Sequence, residues 1–301
     1  MHELARELLA LEAGEVLSGE PLAPYTTWKI GGPADVLVTP SSKEKLAHTI
    51  AHLNSRGIPW FLLGRGSNLL VSDKGFRGAV VRLGRAFEEV RFEGETVYAG
   101  AAFSLIKLSV LVGKEGLTGL EFAGGIPGTV GGAVFMNAGA HGSDMSKILV
   151  EAEVLLGTGE WKRMSPEELQ YAYRHSILHE ETGIVTEAVF RMQQGDRKEI
   201  AGAMAAYKDR RRRTQPLQLP CAGSTFRNPP GNFAAKLIEE AGLKGKRVGG
   251  AEVSPMHANF IVNTGGATAR DVAELMELIQ TTVQASAGVK LVPEVRKIGE
   301  W

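Results

Sequence analysis

The chain lacks the features that would tie it to a disulfide framework, a membrane or a polyanion. Its 301 residues include one cysteine, which excludes an internal disulfide framework and any multi-cysteine metal site. Basic and acidic residues number 34 each, so the net charge of zero indicates no nucleic-acid or membrane-surface partner. No apolar run approaches the ~18 residues of a membrane span. We therefore expect a soluble, cytoplasmic protein, and we expect a monomer.

Two familiar sequence signals are also missing. Residues 1–20, MHELARELLALEAGEVLSGE, lack the basic start and apolar continuation of a signal peptide, and we predict an acidic amphipathic helix there. No GxxxxGK[ST] sequence occurs, so the chain does not have the phosphate-binding loop of nucleoside-triphosphatases. At this length the chain is long enough for two or three domains.

Glycine is abundant, and it is clustered. Eight glycines fall within residues 119–142, GLEFAGGIPGTVGGAVFMNAGAHG, with apolar residues between them, which predicts an ordered loop held close to a core. Glycine lets the backbone approach a ligand closely and lets consecutive amides point at one acceptor. The segment therefore favours a phosphate-bearing cofactor. The alternative is a series of tight turns in a β-rich domain.

A second glycine cluster follows a short apolar run. Pro59–Leu63 predicts a buried strand, and Gly64 to Asn68 predicts the turn after it. A Rossmann fingerprint needs Gly or Ala at its sixth position and then a helix, whereas here that position is Leu69 and the apolar run continues as a strand. We predict a strand, a glycine turn and a strand, with the turn amides available to a pyrophosphate.

The rest of the chain alternates helix and strand patterns, which indicates an α+β protein with at least two domains. Helices are predicted from Ser42 onward and over Ser104–Lys114, Ala201–Arg213, Asn232–Ala241 and Ala269–Ala287. Strands are predicted over Ala34–Val38, Val90–Phe92, Thr96–Ala99, Lys147–Leu156, Trp161–Met164, Ile184–Met192 and Ala258–Val262. The four arginines at 210–213 end a predicted helix and are interpreted as a solvated terminus that suits the helix dipole.

Reactive side chains are concentrated in the second half. Ser224 lies in LPCAGSTFRNP without the GxSxG pattern of esterases, so it is either a turn residue or a functional hydroxyl. Cys221 in the same segment is interpreted as a small buried residue. Glu294 and Arg296 are two apart in a predicted strand, so they share a face as a structural ion pair or as a charge-stabilising pair. Arg174, in YAYRHS, could hold a carboxylate through two hydrogen bonds.

These segments, in this order, resemble the UDP-N-acetylenolpyruvoylglucosamine reductases. The resemblance spans nearly the whole chain, from YTTWKIGGPA through LLGRGSNLLV, the glycine segment, YAYRHS, LPCAGSTFRNP and AAKLIEEAGLKGKRVGGAEVSPMHANFIVN to PEVRKIG. It implies an FAD-binding domain pair of the vanillyl-alcohol-oxidase type and a C-terminal substrate domain. The implied boundaries are 1–83 with the tail 292–301 packed on it, 84–205, and 206–291. The compact length is that of the type II subclass.

The resemblance also assigns roles to individual residues. Arg174, Ser224 and Glu294 match the three catalytic positions, and Asn228, Lys244 and Arg296 match positions that bind the UDP-sugar. The implied contacts with non-covalent FAD are Lys29, Ile30, Gly31 and Gly32; Gly64, Arg65, Gly66, Ser67 and Asn68; and Gly124, Gly125, Ile126, Pro127, Gly128, Gly131, Gly132, Asn137 and Gly139. No metal is expected.

The implied reaction is the reduction of an enolpyruvyl ether by NADPH through FAD, in the synthesis of peptidoglycan precursors. Hydride reaches the terminal methylene, Arg174 and Glu294 stabilise the negative charge that develops, and Ser224 protonates the neighbouring carbon. Two alternatives remain: another FAD-dependent oxidoreductase on the same scaffold, and a nucleotide-sugar-binding protein without activity. The first would not need Ser224, Glu294 and Lys244 together.

Overall fold

A computed structural model describes residues 3–301 as two compact units. The first comprises the described residues up to Ser18 together with Val36–Gly64 and Gly78–Arg210, and the second comprises Gly19–Asp35, Arg65–Arg77 and Arg211–Trp301. The predicted domain boundaries after residues 83, 205 and 291 stay a prediction.

The helices of the described chain agree well with the sequence patterns. Ser42 and Ser104 cap the second and third helices, each accepting a hydrogen bond from a backbone amide in the first turn. The predicted apolar stripe of the second helix, Leu46, Ile50 and Leu53, is buried. The helices are α1 (Glu3–Ala10), α2 (Lys43–Ser55), α3 (Leu105–Lys114), α4 (Val130–Met136), α5 (Arg197–Thr214), α6 (Ala234–Glu240) and α7 (Ala269–Ala287). None of these helices, within residues 3–301, is both long and apolar enough to cross a membrane.

Most strands of the described chain are short, and the four that reach eight or nine residues span 14–21, 33–40, 149–156 and 183–191. They are β1 (Gly14–Pro21), β2 (Pro33–Pro40), β3 (Trp60–Leu62), β4 (Leu69–Val71), β5 (Phe76–Val81), β6 (Val90–Glu93), β7 (Thr96–Gly100), β8 (Leu117–Thr118), β9 (Gly139–Ala140), β10 (Ser143–Asp144), β11 (Leu149–Leu156), β12 (Trp161–Met164), β13 (Gly183–Arg191), β14 (Gln193–Gln194), β15 (Arg247–Val248), β16 (Ala251–Val253), β17 (Ile261–Asn263) and β18 (Arg296–Ile298).

The first unit is built on an antiparallel sheet of five strands. Its order is β12-β11-β13-β7-β6, and the predicted hairpin of β6 and β7 forms one edge. Helices α3 and α4 contribute Leu105, Leu108, Val130 and Val134 to the core over this sheet. A second core forms between α1, α2 and the strands of a sheet with the order β1-β2-β5-β3.

The second unit contains the antiparallel sheet β15-β16-β17, with α6 and α7 packed in the same core. The buried Trp28 ring belongs to this core and donates its Nε1–H to the carbonyl of Ile261 at 2.8 Å. The side-chain Nδ2 of Asn263 in turn donates to the Trp28 carbonyl at 3.0 Å. The main chain beside the predicted cofactor residue Lys29 is therefore fixed to β17.

The N-terminal prediction is wrong over much of its length. In the described part of the predicted helix, α1 ends at Ala10 and β1 begins at Gly14. The buried stripe ends at Leu8, and Glu12 adopts a left-handed φ of 51°, which ends the helix. Gly14 has a φ of 135°, and a Cβ there would lie 2.9 Å from the amide nitrogen of Ser41.

The glycine segment also differs from the predicted continuous loop, because it contains α4. Thr129 caps this helix by accepting from the amide of Gly132 at 3.2 Å, and Asn137 ends it in a left-handed conformation. Gly131 is needed inside the helix because a Cβ would lie 2.8 Å from the Cβ of Ala101. Close packing, which the sequence pattern does not reveal, therefore overrides the low helix propensity of glycine.

Asp73 supplies a testable contribution to stability in the second unit. Its carboxylate accepts from the first two amides of α7, Ala269 at 2.8 Å and Arg270 at 3.0 Å. Asp73→Ala should lower the free energy of unfolding by about 1 kcal/mol, because two helix amides lose an anionic acceptor. Lys74→Ala is the control and should change it by less than about 0.5 kcal/mol. Equal effects in urea unfolding would contradict this role.

Candidate active site

Arg174 lies in the first unit, on a strained turn. Ala172 and His175 exchange backbone hydrogen bonds at 3.2 Å, and Arg174 between them has a φ of 55°. A non-glycine residue in this left-handed region costs about 1–2 kcal/mol, and such strain is concentrated at functional sites. The Arg174 Nη2 donates to the carbonyl of Gly139 at 2.5 Å. The structure therefore brings this predicted catalytic residue to the end of the glycine segment.

Asn137 fixes the same turn from the other side. Its Nδ2 donates to the carbonyl of Ala172 at 3.0 Å, and its Oδ1 accepts from the amide of Ser146 at 3.0 Å. The side chain is 3% exposed. Asn137 thus orients the Arg174 turn, and its predicted contact with FAD stays a prediction.

The glycines predicted to contact FAD fall into two structural classes. The first class is required by protein packing. At Gly66, where φ is 59°, a Cβ would lie 2.5 Å from the carbonyl oxygen of Tyr25, and at Gly139 it would lie 2.5 Å from that of Ser143. A Cβ at Gly32 would collide with the backbone of Asp73. These residues must be glycine whether or not a ligand is bound.

The second class leaves open a cradle beside the start of α4. A Cβ at Gly64 would lie 3.2 Å from the hydroxyl of Thr129, and one at Gly132 would lie 3.4 Å from the same atom. Few other atoms lie near either position. Side chains there would fill the space around this hydroxyl, so the pair of glycines keeps it accessible.

Backbone amides near this cradle are available to an anion. Within the described part of the first unit, the amides of Gly64, Gly128 and Thr129 donate to no backbone carbonyl, and Gly128 has a positive φ. Successive amides in a turn with one positive φ form an anion-binding concavity. By contrast, the amides of Val130 and Gly131 donate to the carbonyls of Phe103 and Ala101, in the turn that follows β7. The residues present therefore fit the pyrophosphate of FAD.

Ser224 and Glu294 both belong to the second unit, and the structure brings their segments together. The amide of Glu294 donates to the carbonyl of Thr225 at 2.8 Å, and Phe226 forms an isolated bridge with Pro293. The Nδ2 of Asn68 donates to the carbonyl of Glu294 at 3.1 Å. Hydrogen bonds thus connect Asn68, the segment that follows Ser224, and Glu294, which are far apart in the sequence.

The strand predicted for VPEVRKIG is shorter than expected. Apart from the isolated bridge at Pro293, only β18 pairs, in parallel with β4, and it begins at Arg296, so Glu294 is not a strand residue. The prediction that Glu294 and Arg296 share a strand face is wrong for this reason. The Glu294 amide is bonded to Thr225, and the Arg296 amide is bonded to the carbonyl of Asn68 at 3.0 Å.

Lys244 is already in an ion pair. Its Nζ lies 2.7 Å from the Glu239 carboxylate, and its side chain is about one-third exposed. His257, to which the sequence pattern assigned no role, lies close enough to be affected by this charge. Burial and, to a smaller extent, Lys244 lower the pKa of His257. The position of His257 within SPMHANF carries no local signal for this proximity.

Asn228 and Lys29 have local structural roles. The Asn228 Oδ1 accepts from the Ala234 amide at 3.0 Å and so caps α6. Lys29 has a φ of 60°, and its Nζ donates to the carbonyl of Pro24 at 3.2 Å. Burial raises the pKa of the half-buried Cys221 thiol, which disfavours the thiolate a nucleophile would need. The substrate and cofactor contacts assigned to Asn228 and Lys29 stay predictions.

The packing class of glycines gives a matched stability test. Gly66 and Gly94 have nearly equal φ values, 59° and 60°, but a Cβ at Gly94 would meet nothing within 4 Å. Gly94→Ala should cost about 1–2 kcal/mol for the left-handed conformation alone. Gly66→Ala should cost clearly more in denaturant unfolding, because the methyl group also collides with backbone. Equal costs would show that the turn relaxes freely.

Comparisons with known proteins show the fold and the family of the chain. Residues 34–165 match the family model described as FAD binding domain. Residues 215–298 match the model described as UDP-N-acetylenolpyruvoylglucosamine reductase, C-terminal domain. The chain therefore has the predicted α+β fold, with an FAD-binding domain followed by a second domain.

Relatives match over the full length. The UDP-N-acetylenolpyruvoylglucosamine reductase of Bacillus licheniformis is 50% identical over 303 residues, which cover 100% of this chain and 99% of the relative. The protein of the same name from Bacillus subtilis (strain 168) is 48% identical, with 99% of each chain covered. The crystal structure of the Thermus caldophilus reductase superposes with a TM-score of 0.82 at 39% identity, covering 94% of this chain and 98% of that one. The chain belongs to the UDP-N-acetylenolpyruvoylglucosamine reductase family.

Proposed function

We propose that this chain reduces UDP-N-acetylglucosamine enolpyruvate to UDP-N-acetylmuramate, with FAD as the bound cofactor and NADPH as the reductant. The observation that supports this proposal is the hydrogen-bonded framework that joins the Ser224 segment, Glu294 and the Asn68 turn, because these segments carry the proposed acid, the proposed carboxylate and a proposed cofactor contact. We also propose a cytoplasmic monomer without a nucleic-acid partner, which accords with the equal numbers of acidic and basic residues.

The cofactor would be held by backbone groups. The amides of Gly64, Gly128 and Thr129 would donate to its pyrophosphate, and Gly64 and Gly132 would leave room beside Thr129. When bound, FAD supplies hydride transfer from the nicotinamide to the enolpyruvyl double bond. The chain itself must bind the sugar nucleotide, stabilise charge and deliver a proton.

Arg174 and Glu294 would stabilise the negative charge that develops on the substrate. Addition of hydride at the methylene carbon leaves negative charge on the adjacent carbon and the carboxylate of the substrate. The Arg174 guanidinium can donate to this carboxylate, and the strained turn with its bond to Gly139 holds it ready before substrate arrives. Glu294 contributes through a hydrogen bond shared with the substrate.

Ser224 is the proton donor in this proposal. Its Oγ–H would protonate the carbon next to the ether oxygen, which completes the reduction. A hydroxyl is a weak acid at rest, but a carbanion is a far stronger base, and positioning supplies much of the remaining rate. Lys244, Asn228 and Arg296 would bind the UDP-sugar, with the ammonium of Lys244 facing the diphosphate.

The role of Ser224 is tested by separating the two half-reactions. Ser224→Ala should bind FAD and accept electrons from NADPH at the normal rate, because neither step needs the hydroxyl. Flavin reoxidation by the enolpyruvyl substrate should slow by at least ~10²-fold, the scale for losing a positioned acid. Ser224→Cys should recover part of that rate, because a thiol also donates a proton. Anaerobic stopped-flow absorbance measures both steps.

The adjacent hydroxyl is the matched control. Thr225 is fully buried, and within the described chain its Oγ1 has no hydrogen-bond partner. Thr225→Val removes this hydroxyl with little change in shape and should leave reoxidation within about twofold of wild type. Wild-type reoxidation in Ser224→Ala would exclude Ser224 as the proton donor.

Lys244 follows α6 and pairs with a glutamate of that helix, and Lys236 on α6 is its matched control. Lys244 pairs with Glu239 and Lys236 pairs with Glu240, so each substitution removes one ammonium from an ion pair with α6. Lys244→Ala should raise the KM for the UDP-sugar by roughly tenfold or more, the value of a lost charge-assisted contact, and leave NADPH oxidation by bound flavin unchanged. Lys236→Ala should change neither. Equal KM values in the two variants would show that Lys244 has no contact with substrate.

A further inference from the structure

We infer that Asn259 is a positioning residue for Ser224, a role that rests on the proposed proton donation by Ser224. Asn259 makes three hydrogen bonds to the two residues that follow Ser224. Its carbonyl accepts from the amide of Thr225 at 2.8 Å. Its Oδ1 accepts from the amide of Phe226 at 2.9 Å, and its Nδ2 donates to the carbonyl of Phe226 at 2.8 Å.

The two hydrogen bonds of the Asn259 side chain with Phe226 take the place of strand pairing. A primary amide that bonds both the N–H and the C=O of one residue replaces the two bonds that a neighbouring strand would make. Asn259 is 3% exposed, and Thr225 and Phe226 are 0% and 1% exposed, so water cannot replace these bonds readily. The main chain directly after Ser224 is therefore held in one conformation.

The loop that carries Asn259 is itself well fixed. Ser254 donates its amide to the carbonyl of Phe260 at 2.8 Å, which closes the loop, and its hydroxyl accepts from the amide of Met256 at 3.2 Å. The Asn259 amide donates to Nδ1 of His257 at 3.3 Å. Asn259 is thus a rigid support, which positioning of a reacting group requires.

The segment after Ser224 is held on both edges. On one edge the Thr225 carbonyl accepts from Glu294, and on the other its amide donates to Asn259. The Phe226 side chain is anchored in the core of the second unit. Removing the Asn259 side chain would free one edge at Phe226, two residues from the hydroxyl, and leave the Glu294 edge intact. We therefore expect the substitution to make the position of the Ser224 hydroxyl less well defined, while the protein still folds.

A double-mutant cycle tests this inference. Flavin is reduced anaerobically with dithionite, so that no step depends on NADPH, and reoxidation by the enolpyruvyl substrate is followed at saturation. Asn259→Ala should slow reoxidation by about 10- to 100-fold, the cost of a misplaced reacting group, with a nearly unchanged half-saturating substrate concentration. Ser224→Ala/Asn259→Ala should be no slower than Ser224→Ala within about twofold, because Asn259 acts through the hydroxyl.

Two further measurements separate positioning from general destabilisation. Val272→Ala, in the same core near the start of α7, removes buried methyl groups and should lower the melting temperature without slowing reoxidation. Amide exchange of Phe226, read by NMR or in a peptide spanning 222–228, should accelerate in Asn259→Ala and stay slow in Val272→Ala. If Asn259→Ala does not accumulate as folded protein, Asn259→Asp, which retains an acceptor for the Phe226 amide, replaces it in the cycle.

The outcomes are distinct. Equal slowing by Asn259→Ala in the wild-type and Ser224→Ala backgrounds, or wild-type reoxidation in Asn259→Ala, would overturn the inference and leave the role of Ser224 standing. Wild-type reoxidation in Ser224→Ala would instead remove the proton donor itself. Unchanged exchange at Phe226 would show that the bonds of Asn259 do not hold this segment.

Discussion

The hydrogen bonding around Thr225 and Phe226 is the constraint on which the candidate chemistry depends. Main-chain groups of these two residues bond to Asn259 on one edge and to Glu294 on the other. Because both residues are buried, each lost bond would leave a polar group without a water to replace its partner. A single short segment thereby sets the positions of the proposed acid Ser224 and of the backbone at Glu294.

In the first unit, the turn that carries Arg174 is fixed by backbone strain and packing. Arg174 adopts a left-handed conformation that a β-carbon disfavours, and it persists because Asn137 and the carbonyl of Gly139 fix the turn on both sides. The guanidinium, which we propose contacts the substrate, is therefore held by this turn. Preorganised donors of this kind need no reorganisation when charge develops in the reaction.

Glycine is needed in this protein for two different reasons: close packing at some positions and open space at others. Gly66 and Gly139 are required because neighbouring carbonyl oxygens leave no room for a β-carbon. Gly64 and Gly132 instead adjoin space around the Thr129 hydroxyl. Glycine density alone predicted a cofactor loop, but it could not separate these classes, since the distinction depends on atoms that are distant in sequence. The helix α4 within the segment was missed for the same reason.

The sequence by itself determined the α+β class, most helices, including the two that begin at serine caps, the two glycine clusters and the family, because these depend on local periodicity and on motifs in order. It did not determine where β17 begins. The apolar run from Ala258 predicted a strand, yet Asn259 turns its carbonyl and side chain to Thr225 and Phe226, so the strand starts at Ile261. It also misplaced Glu294 in a strand. Only the tertiary structure decided these points, because the hydrogen bonds that fix them join residues more than 30 positions apart.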